Sequence, residues 1–108
     1  MIYLASPYSD PDADVRQQRF ESVCRAAAAL ILQGKTVFSP IAHGHAICRY
    51  GVPLDWVFWQ RHDHRHLEAC DEMVVLMLDG WRSVAQSVMW LMSIVCRYFS
   101  VSLILCAT

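Results

Sequence analysis

Short apolar runs alternate with helical stretches along this chain, and that alternation constrains its fold most strongly. Residues 2–5, 35–39, 73–78 and 99–105 predict β-strands, because each run is short and rich in apolar residues. The stretches between them predict helices. Strands that alternate with helices in this way form a parallel sheet with helices on both faces. The sequence therefore predicts an α/β protein with a β-α-β-α-β-α-β order.

Helix signals occupy the segments between the predicted strands. Asp10 and Pro11 predict the start of the first helix, with the carboxylate as cap and the proline at the first helical position, and Gly34 ends it. A second helix is predicted over residues 54–69 and a third over residues 81 to about 98. The segment in between, residues 40–53, is rich in His, Gly and Pro and predicts a loop.

Length and charge limit the possible functions. A chain of 108 residues has room for one domain, which we assign to residues 1–108. The net charge of −1 provides no basic surplus to neutralise a phosphate backbone, so nucleic-acid binding is not expected. The hydrophobic share of 56% excludes a disordered chain and is compatible with a homo-oligomer that buries part of its surface.

The cysteines indicate a reducing compartment. Their number, five, is odd, and the amino terminus runs into Pro7 too early for a signal-peptide core. We therefore expect reduced, mostly buried thiols in a cytoplasmic protein.

An open parallel sheet places ligands at the carboxyl ends of its strands, where the strand order reverses. We expect four strands in the order 2-1-3-4, as in flavodoxin-like and Rossmann-like folds. The ligand site is then predicted at residues 5–7, 40–45 and 78–81.

The histidines are candidate ligands of a metal site. His62 and His66 are four positions apart and can share a helix face, and His43 and His45 could add a ligand from the predicted loop. The pattern matches no closed zinc signature, and hydrogen-bonding imidazoles on a solvated helix face explain it better, since histidine is far commoner as an ordinary polar residue than as a metal ligand. We predict no metal and no cofactor.

Several short motifs occur together in a characteristic order. They are residues 2–8 (IYLASPY), residues 37–40 (VFSP), Asp63 placed eight residues before Asp71, and residues 73–81, which end in Asp-Gly-Trp. With this ordered set the chain resembles the nucleoside 2-deoxyribosyltransferase superfamily, especially its small bacterial and phage members. The resemblance covers residues 1 to about 83.

The resemblance implies an activity and a set of site residues. These enzymes cleave the N-glycosidic bond of 2′-deoxynucleosides by attack of a glutamate carboxylate on the anomeric carbon, which gives a covalent glycosyl-enzyme. Asp63 matches the acid that handles the proton on the departing base, and Tyr3 matches the tyrosine that orients the catalytic carboxylate. The residues expected to contact the nucleoside or nucleotide are Ala5, Ser6, Pro7, Pro40, His43, Asp79, Gly80 and Trp81.

The carboxyl-terminal segment departs from this family pattern. The nucleophilic glutamate is expected on the third helix, where this chain has Met89 or Trp90, and no carboxylate follows Asp79. Residues 84–108 carry a single charge, Arg97. Three functions stay open: a deoxyribosyltransferase or N-glycosidase, a non-catalytic nucleotide-binding module, and a truncated or frame-altered inactive member.

The same segment has a rival interpretation as a membrane anchor. Residues 88–106 approach the length of about 20 apolar residues that a span needs. Arg97 lies at their centre, however, where a charge is costly. We therefore expect a buried helix and strand that complete the sheet.

Asp63 is the residue from which we expect the most chemistry. If it lies in a cleft near Tyr3 and is shielded by a neighbouring tryptophan, burial should favour its neutral form and raise its pKa. A neutral carboxyl could then donate a hydrogen bond or a proton to a ring nitrogen. Asp71, which directly precedes a strand, is expected to serve only in a turn.

Overall fold

A computed structural model describes residues 1–53, 55–86 and 100–104. The strands are β1 (Ile2–Ala5), β2 (Val37–Phe38), β3 (Glu72–Leu76) and β4 (Ser100–Ile104), and the helices are α1 (Ala13–Leu32), α2 (Pro40–Ile47) and α3 (Trp56–Glu68). A 3₁₀ turn, Cys48–Tyr50, follows α2, and residues 81–86 are also helical.

The four strands form one parallel sheet in the order β2-β1-β3-β4. The predicted fold class and strand order are thereby confirmed. Neighbouring strands pair in register across the sheet: Ile2 lies opposite Val37 on one side and Glu72 on the other, and Val75 lies opposite Leu103. The chain order reverses between β1 and β3, so these two central strands flank the switch point.

The alternation of side chains along the central strands divides the core into two layers. Ile2 and Leu4 pack with Val23 and Leu30 of α1 on one face of the sheet. The opposite face carries a second cluster, made of Tyr3, Ala5, Leu67, Cys70, Met73, Val75 and Ala85. Helices therefore cover both faces, as predicted, because β1 and β3 are apolar on both sides.

Two of the three helix starts depart from the predictions. The cap of α1 is Asp12, whose carboxylate accepts a hydrogen bond from the Asp14 amide at 2.8 Å, and Pro11 lies outside the helix. Asp10 instead accepts from the Asp12 amide at 2.9 Å and forms the turn before the helix. Asp55 caps α3 as an acidic residue should.

The larger departure is α2, which occupies much of the predicted loop. Ser39 caps this helix by accepting a hydrogen bond from the Ala42 amide at 3.1 Å, and Pro40 takes its first position. A serine followed by proline is a favourable helix start, since proline has no amide hydrogen to leave unpaired there. The loop prediction was wrong because it relied on the His, Gly and Pro content of residues 40–53 and overlooked the helix start at Ser39 and Pro40.

The carboxyl-terminal predictions are tested in part. Residues 100–104 form β4 and pair with β3, so the strand that completes the sheet is present. It is an exposed edge strand rather than a buried one, with Leu103 half exposed. The third helix was predicted over residues 81 to about 98; residues 81–86 are helical, and residues 87–99 lie outside the described part of the chain. Most of the 88–106 run lies there too.

Candidate functional site

A cleft of about 520 Å³ opens at the carboxyl ends of β1 and β3. Small-molecule sites commonly enclose about 300–1,000 Å³, so the cleft has room for a ligand of nucleoside size. Its lining comes from the β1–α1 loop, α1, α2, the 3₁₀ turn, α3 and the segment after β3, and comprises Tyr3, Ala5, Ser6, Pro7, Tyr8, Ser9, Arg19, Pro40, Ile41, Gly44, His45, Cys48, Trp59, Asp63, Asp79, Gly80, Ser83 and Val84.

Most of the residues expected to contact the substrate line this cleft. Ala5, Ser6 and Pro7 follow β1, Pro40 begins α2, and Asp79 and Gly80 follow β3. His43 and Trp81 are not among the lining residues.

His43 and Trp81 have other surroundings. The ring of His43 stacks on that of His62, with centroids 5.1 Å apart. Trp81 packs against the core cluster that contains Tyr3, and the Arg82 guanidinium lies 4.8 Å above its ring. The alternation of the sequence located the correct sheet edge but could not orient individual side chains.

Asp63 and Tyr3 form the core of one side of the cleft, which we call the α3 wall (Tyr3, Trp59 and Asp63). Asp63 is 8% exposed although it belongs to a helix with a largely polar sequence. Burial raises the pKa of its carboxyl, and the hydrogen bond from His62 partly opposes that shift. Tyr3 is buried as well, and burial together with the negative charge of Asp63 raises the pKa of its phenol.

Three histidines, His43, His62 and His66, lie close enough to Asp63 to act on its charge, and Phe38 packs against two of them. The His66 ring stacks on Phe38 at 4.1 Å, and the His62 ring lies 4.7 Å from that of His66. His62 Nδ1 is 3.3 Å from the Asp63 carboxylate, and His66 Nδ1–H donates to the His62 carbonyl oxygen at 3.1 Å. Burial and the two neighbouring imidazoles lower the pKa of His43.

This arrangement bears on the metal interpretation. Among the described residues, no group of three or more His, Cys, Asp or Glu side chains is placed to hold a metal ion. The rings of His43 and His62 are stacked, 13° from parallel, whereas the His66 ring is tilted by 45° against His43 and by 39° against His62.

The opposite side of the cleft, which we call the α1 wall (Ser6, Tyr8, Ser9, Arg19 and His45), contains a directed chain of hydrogen bonds. The Gln17 amide nitrogen donates to Glu21 Oε1 at 3.2 Å, so its oxygen must accept from His45 Nε2–H, at 3.0 Å. His45 Nδ1 is therefore the acceptor for the Tyr8 hydroxyl, at 2.7 Å. The ring of Phe20 stacks on His45 at 4.2 Å. The network fixes the tautomer of His45 and the direction of the Tyr8 proton.

Arginines surround this wall. The Arg16 guanidinium donates to the Tyr8 hydroxyl. Burial lowers the pKa of His45, and the charges of Arg49 and Arg16 lower it further. Arg19 Nη1 donates to the Ser9 carbonyl oxygen at 3.0 Å. Burial is the main cause that raises the pKa of Tyr8, and the charges of Arg16 and Arg49 lower it in part. Tyr8 therefore lies in a positive environment.

Ser6 stands out on the same wall. It is 6% exposed, and within the described part of the chain its hydroxyl has no hydrogen-bond partner. Buried hydroxyls are almost always paired, so an unpaired one that lines a cleft points to a partner supplied by a ligand.

Sequence reasoning located part of the α1 wall, because the predicted ligand segments 5–7 and 40–45 contain Ser6 and His45, but it missed Tyr8, Ser9, Arg19 and Cys48 as lining residues. Ile41, Gly44, His45 and Cys48 share one face of the helical region that was predicted as a loop. Their spacing of three and four residues was the available signal. Asp71, by contrast, lies outside the cleft as expected: it is exposed, and the Met1 amino group, 2.8 Å away, lowers its pKa.

The fold and the cleft define a doubly wound α/β protein with a cavity at the carboxyl edge of its sheet. The chain belongs to the family described as domain of unknown function (DUF1937), whose profile matches residues 1–103. No curated protein matches the chain.

Proposed function

We propose that this protein binds a nucleoside or nucleotide in the cleft, with the base against Asp63, and that its chemistry is of the N-deoxyribosyltransferase or hydrolase type. The observation that carries the proposal is a buried carboxyl of raised pKa beside a buried tyrosine in a cleft of nucleoside size. A neutral carboxyl donates a hydrogen bond to a ring nitrogen, which an ordinary ionised aspartate cannot do.

The proposed reaction breaks the N-glycosidic bond: the departing base takes a proton, and the anomeric carbon takes a carboxylate or a water molecule as its new partner. The site must therefore supply the proton and stabilise the developing sugar cation. Asp63 supplies the proton, because desolvation keeps it protonated at a higher pH than an exposed aspartate. Tyr3 stays a neutral phenol and can orient a carboxylate by hydrogen bonding. Asp79 is the other carboxylate within the described lining of the cleft.

A second candidate is a non-catalytic nucleotide-binding module. It is favoured by one feature of the sequence: no carboxylate follows Asp79, so the glutamate expected to attack the anomeric carbon is absent from the chain. Met89 and Trp90, which occupy the expected positions, lie outside the described residues.

Two measurements separate the candidates. Purified protein is incubated with 2′-deoxynucleosides and the release of free base is followed by chromatography, with Tyr3→Phe and Asp63→Ala as controls. Base release above that of the controls supports the enzyme. Calorimetric binding without turnover supports the binding module, and an absence of binding to nucleosides and nucleotides contradicts both.

We also propose a cytoplasmic homo-oligomer. The free thiols of Cys24 and Cys48 support a reducing compartment. Exposed apolar side chains such as Leu32, at 88%, and Val57, at 70%, support burial against another copy. Among the described residues, no helix is long and apolar enough to cross a membrane. Sedimentation should show self-association that does not depend on salt, and a monomer at micromolar concentration would contradict it.

A further inference from the structure

The two walls of the cleft differ in charge. The carboxyl groups of the described lining, Asp63 and Asp79, belong to α3 and to the segment after β3. Arg19 lines the cleft from α1, and Arg16 hydrogen-bonds Tyr8 of the same wall. A ligand that spans the cleft therefore meets a protonatable acid at one side and the Arg19 guanidinium at the other.

Arg19 is held in place while keeping donors to spare. One nitrogen donates to the Ser9 carbonyl oxygen at 3.0 Å, which anchors the side chain against the β1–α1 loop. A guanidinium has five N–H donors, so most of them remain available. Its planar fork matches the oxygens of a phosphate group, which it can bind through two hydrogen bonds.

The unpaired Ser6 hydroxyl provides an independent observation. Ser6 directly follows β1, lines the same cleft as Arg19 and is 6% exposed, yet its Oγ has no partner among the described residues. A phosphate oxygen would accept the hydrogen bond that this hydroxyl lacks. We propose that the α1 wall binds a phosphate group and that the ligand of the cleft is a nucleoside monophosphate rather than a free nucleoside.

The inference rests on the proposed function for the base and adds the phosphate to it. The base lies against Asp63 and the phosphate against Arg19 and Ser6. The phosphate also acts on His45, whose pKa the Arg16 and Arg49 charges help to lower in the free protein. A nearby dianion favours the imidazolium form, so binding of the monophosphate should raise the pKa of His45.

Calorimetry tests the inference with matched ligands. Four ligands are titrated into the protein: a 2′-deoxynucleoside, its 5′-monophosphate, deoxyribose 5-phosphate and inorganic phosphate. The nucleoside and its monophosphate are tested with each common base. Because hydrogen bonds to charged groups contribute more than neutral ones, the monophosphate should bind about tenfold tighter than the nucleoside, or better. Its binding should also move the titration of the His45 ring, followed by NMR, to higher pH.

Variants on α1 provide the control. Arg19→Gln should reduce the preference for the monophosphate about tenfold, toward equal affinities, because it removes the charged fork. Arg25→Gln makes the same change in charge at an exposed position of α1 outside the cleft and should keep the preference. Loosening of the Ser9 loop in Arg19→Gln would lower both affinities together, so the ratio of the two identifies a lost phosphate contact. Ser6→Ala should lower the same ratio by a smaller factor.

The outcomes distinguish this inference from the proposed function. Equal affinity for nucleoside and monophosphate, with both dependent on Asp63, overturns the phosphate site and leaves the proposed function intact. Arg19-dependent binding of phosphate and deoxyribose 5-phosphate with no response to any base supports the phosphate site and overturns the proposed function. An absence of binding to all four probes overturns both.

Discussion

Burial shifts the pKa values of polar groups on both walls of the cleft, but the α3 wall and the α1 wall differ in how those groups are hydrogen-bonded. On the α3 wall, burial is the largest influence on the pKa of the Asp63 carboxyl, and the hydrogen bond from His62, at 3.3 Å, opposes it in part. On the α1 wall, the Tyr8 hydroxyl donates to His45 Nδ1 at 2.7 Å and His45 Nε2–H donates to the Gln17 amide oxygen at 3.0 Å, so these hydrogen bonds fix the orientation of both side chains. Desolvation tunes a pKa, whereas a directed network fixes geometry. The first wall is therefore suited to proton transfer and the second to holding a ligand group in place.

The largest expected effect concerns the acid of the α3 wall. Asp63→Asn should reduce any base release at least about 100-fold, because the amide keeps a hydrogen-bond donor but supplies no proton. Binding of the base should weaken only modestly. Chromatography and calorimetry on the same preparation measure both.

Asp71→Asn is the matched control for this prediction, because Asp71 is exposed and outside the cleft. Comparable losses in both variants would mean that Asp63 has no special part in the chemistry.

The pH dependence of stability should also reveal the burial of Asp63. Since the pKa of Asp63 is higher in the folded than in the unfolded chain, the folded state binds more protons between the two values. Its contribution to the free energy of unfolding therefore falls as the pH rises through that window. Asp63→Asn should remove this slope. At pH values above the window, the variant should be more stable than the wild type.

Urea denaturation from acidic to neutral pH measures the difference between the two proteins. Parallel curves would show that the neighbouring histidines stabilise the ionised carboxylate as much as burial penalises it, and the contrast between the walls would then disappear.

On the α1 wall we expect a smaller loss of stability. Tyr8→Phe removes the donor to His45 Nδ1 and the acceptor for Arg16, and should lower the free energy of unfolding by about 1 kcal/mol. Tyr50→Phe removes a hydroxyl from a side chain that is 86% exposed and should change stability little. Chemical denaturation compares the two, and equal effects would argue against a structural network around His45.

The smallest effect is expected where α2 meets the α3 wall. A Cβ on Gly44 would lie 3.5 Å from the Trp59 indole, an ordinary van der Waals contact. Alanine is the better helix former by up to about 1 kcal/mol, so Gly44→Ala should be neutral or slightly stabilising. A clear drop in the thermal midpoint would mean that the indole cannot yield and that the cleft is more tightly packed there than this distance suggests.

The fold class could be read from the sequence because burial leaves a local pattern. Residues 2–5 and 73–78 are apolar at every or nearly every position, as strands covered on both faces must be, and the helices between them require parallel pairing. That pattern also located the carboxyl edge of the sheet and so placed Ser6 and Asp79 near a common site, whereas Asp63 was assigned to that site by the family resemblance. Strand limits were less accurate: the second strand is only Val37–Phe38.

Only the tertiary structure decided how the walls of the cleft are built. Tyr8 and His45 are 37 residues apart, and His45 and Gln17 are 28 apart, so no local pattern encodes their contacts. The low exposure of Asp63 likewise depends on how α3 packs against the sheet, because its helix neighbours are mostly polar. Local periodicity tells which face of an element is buried, whereas hydrogen-bond partners and the desolvation of a single carboxyl arise from elements that meet only when the chain has folded.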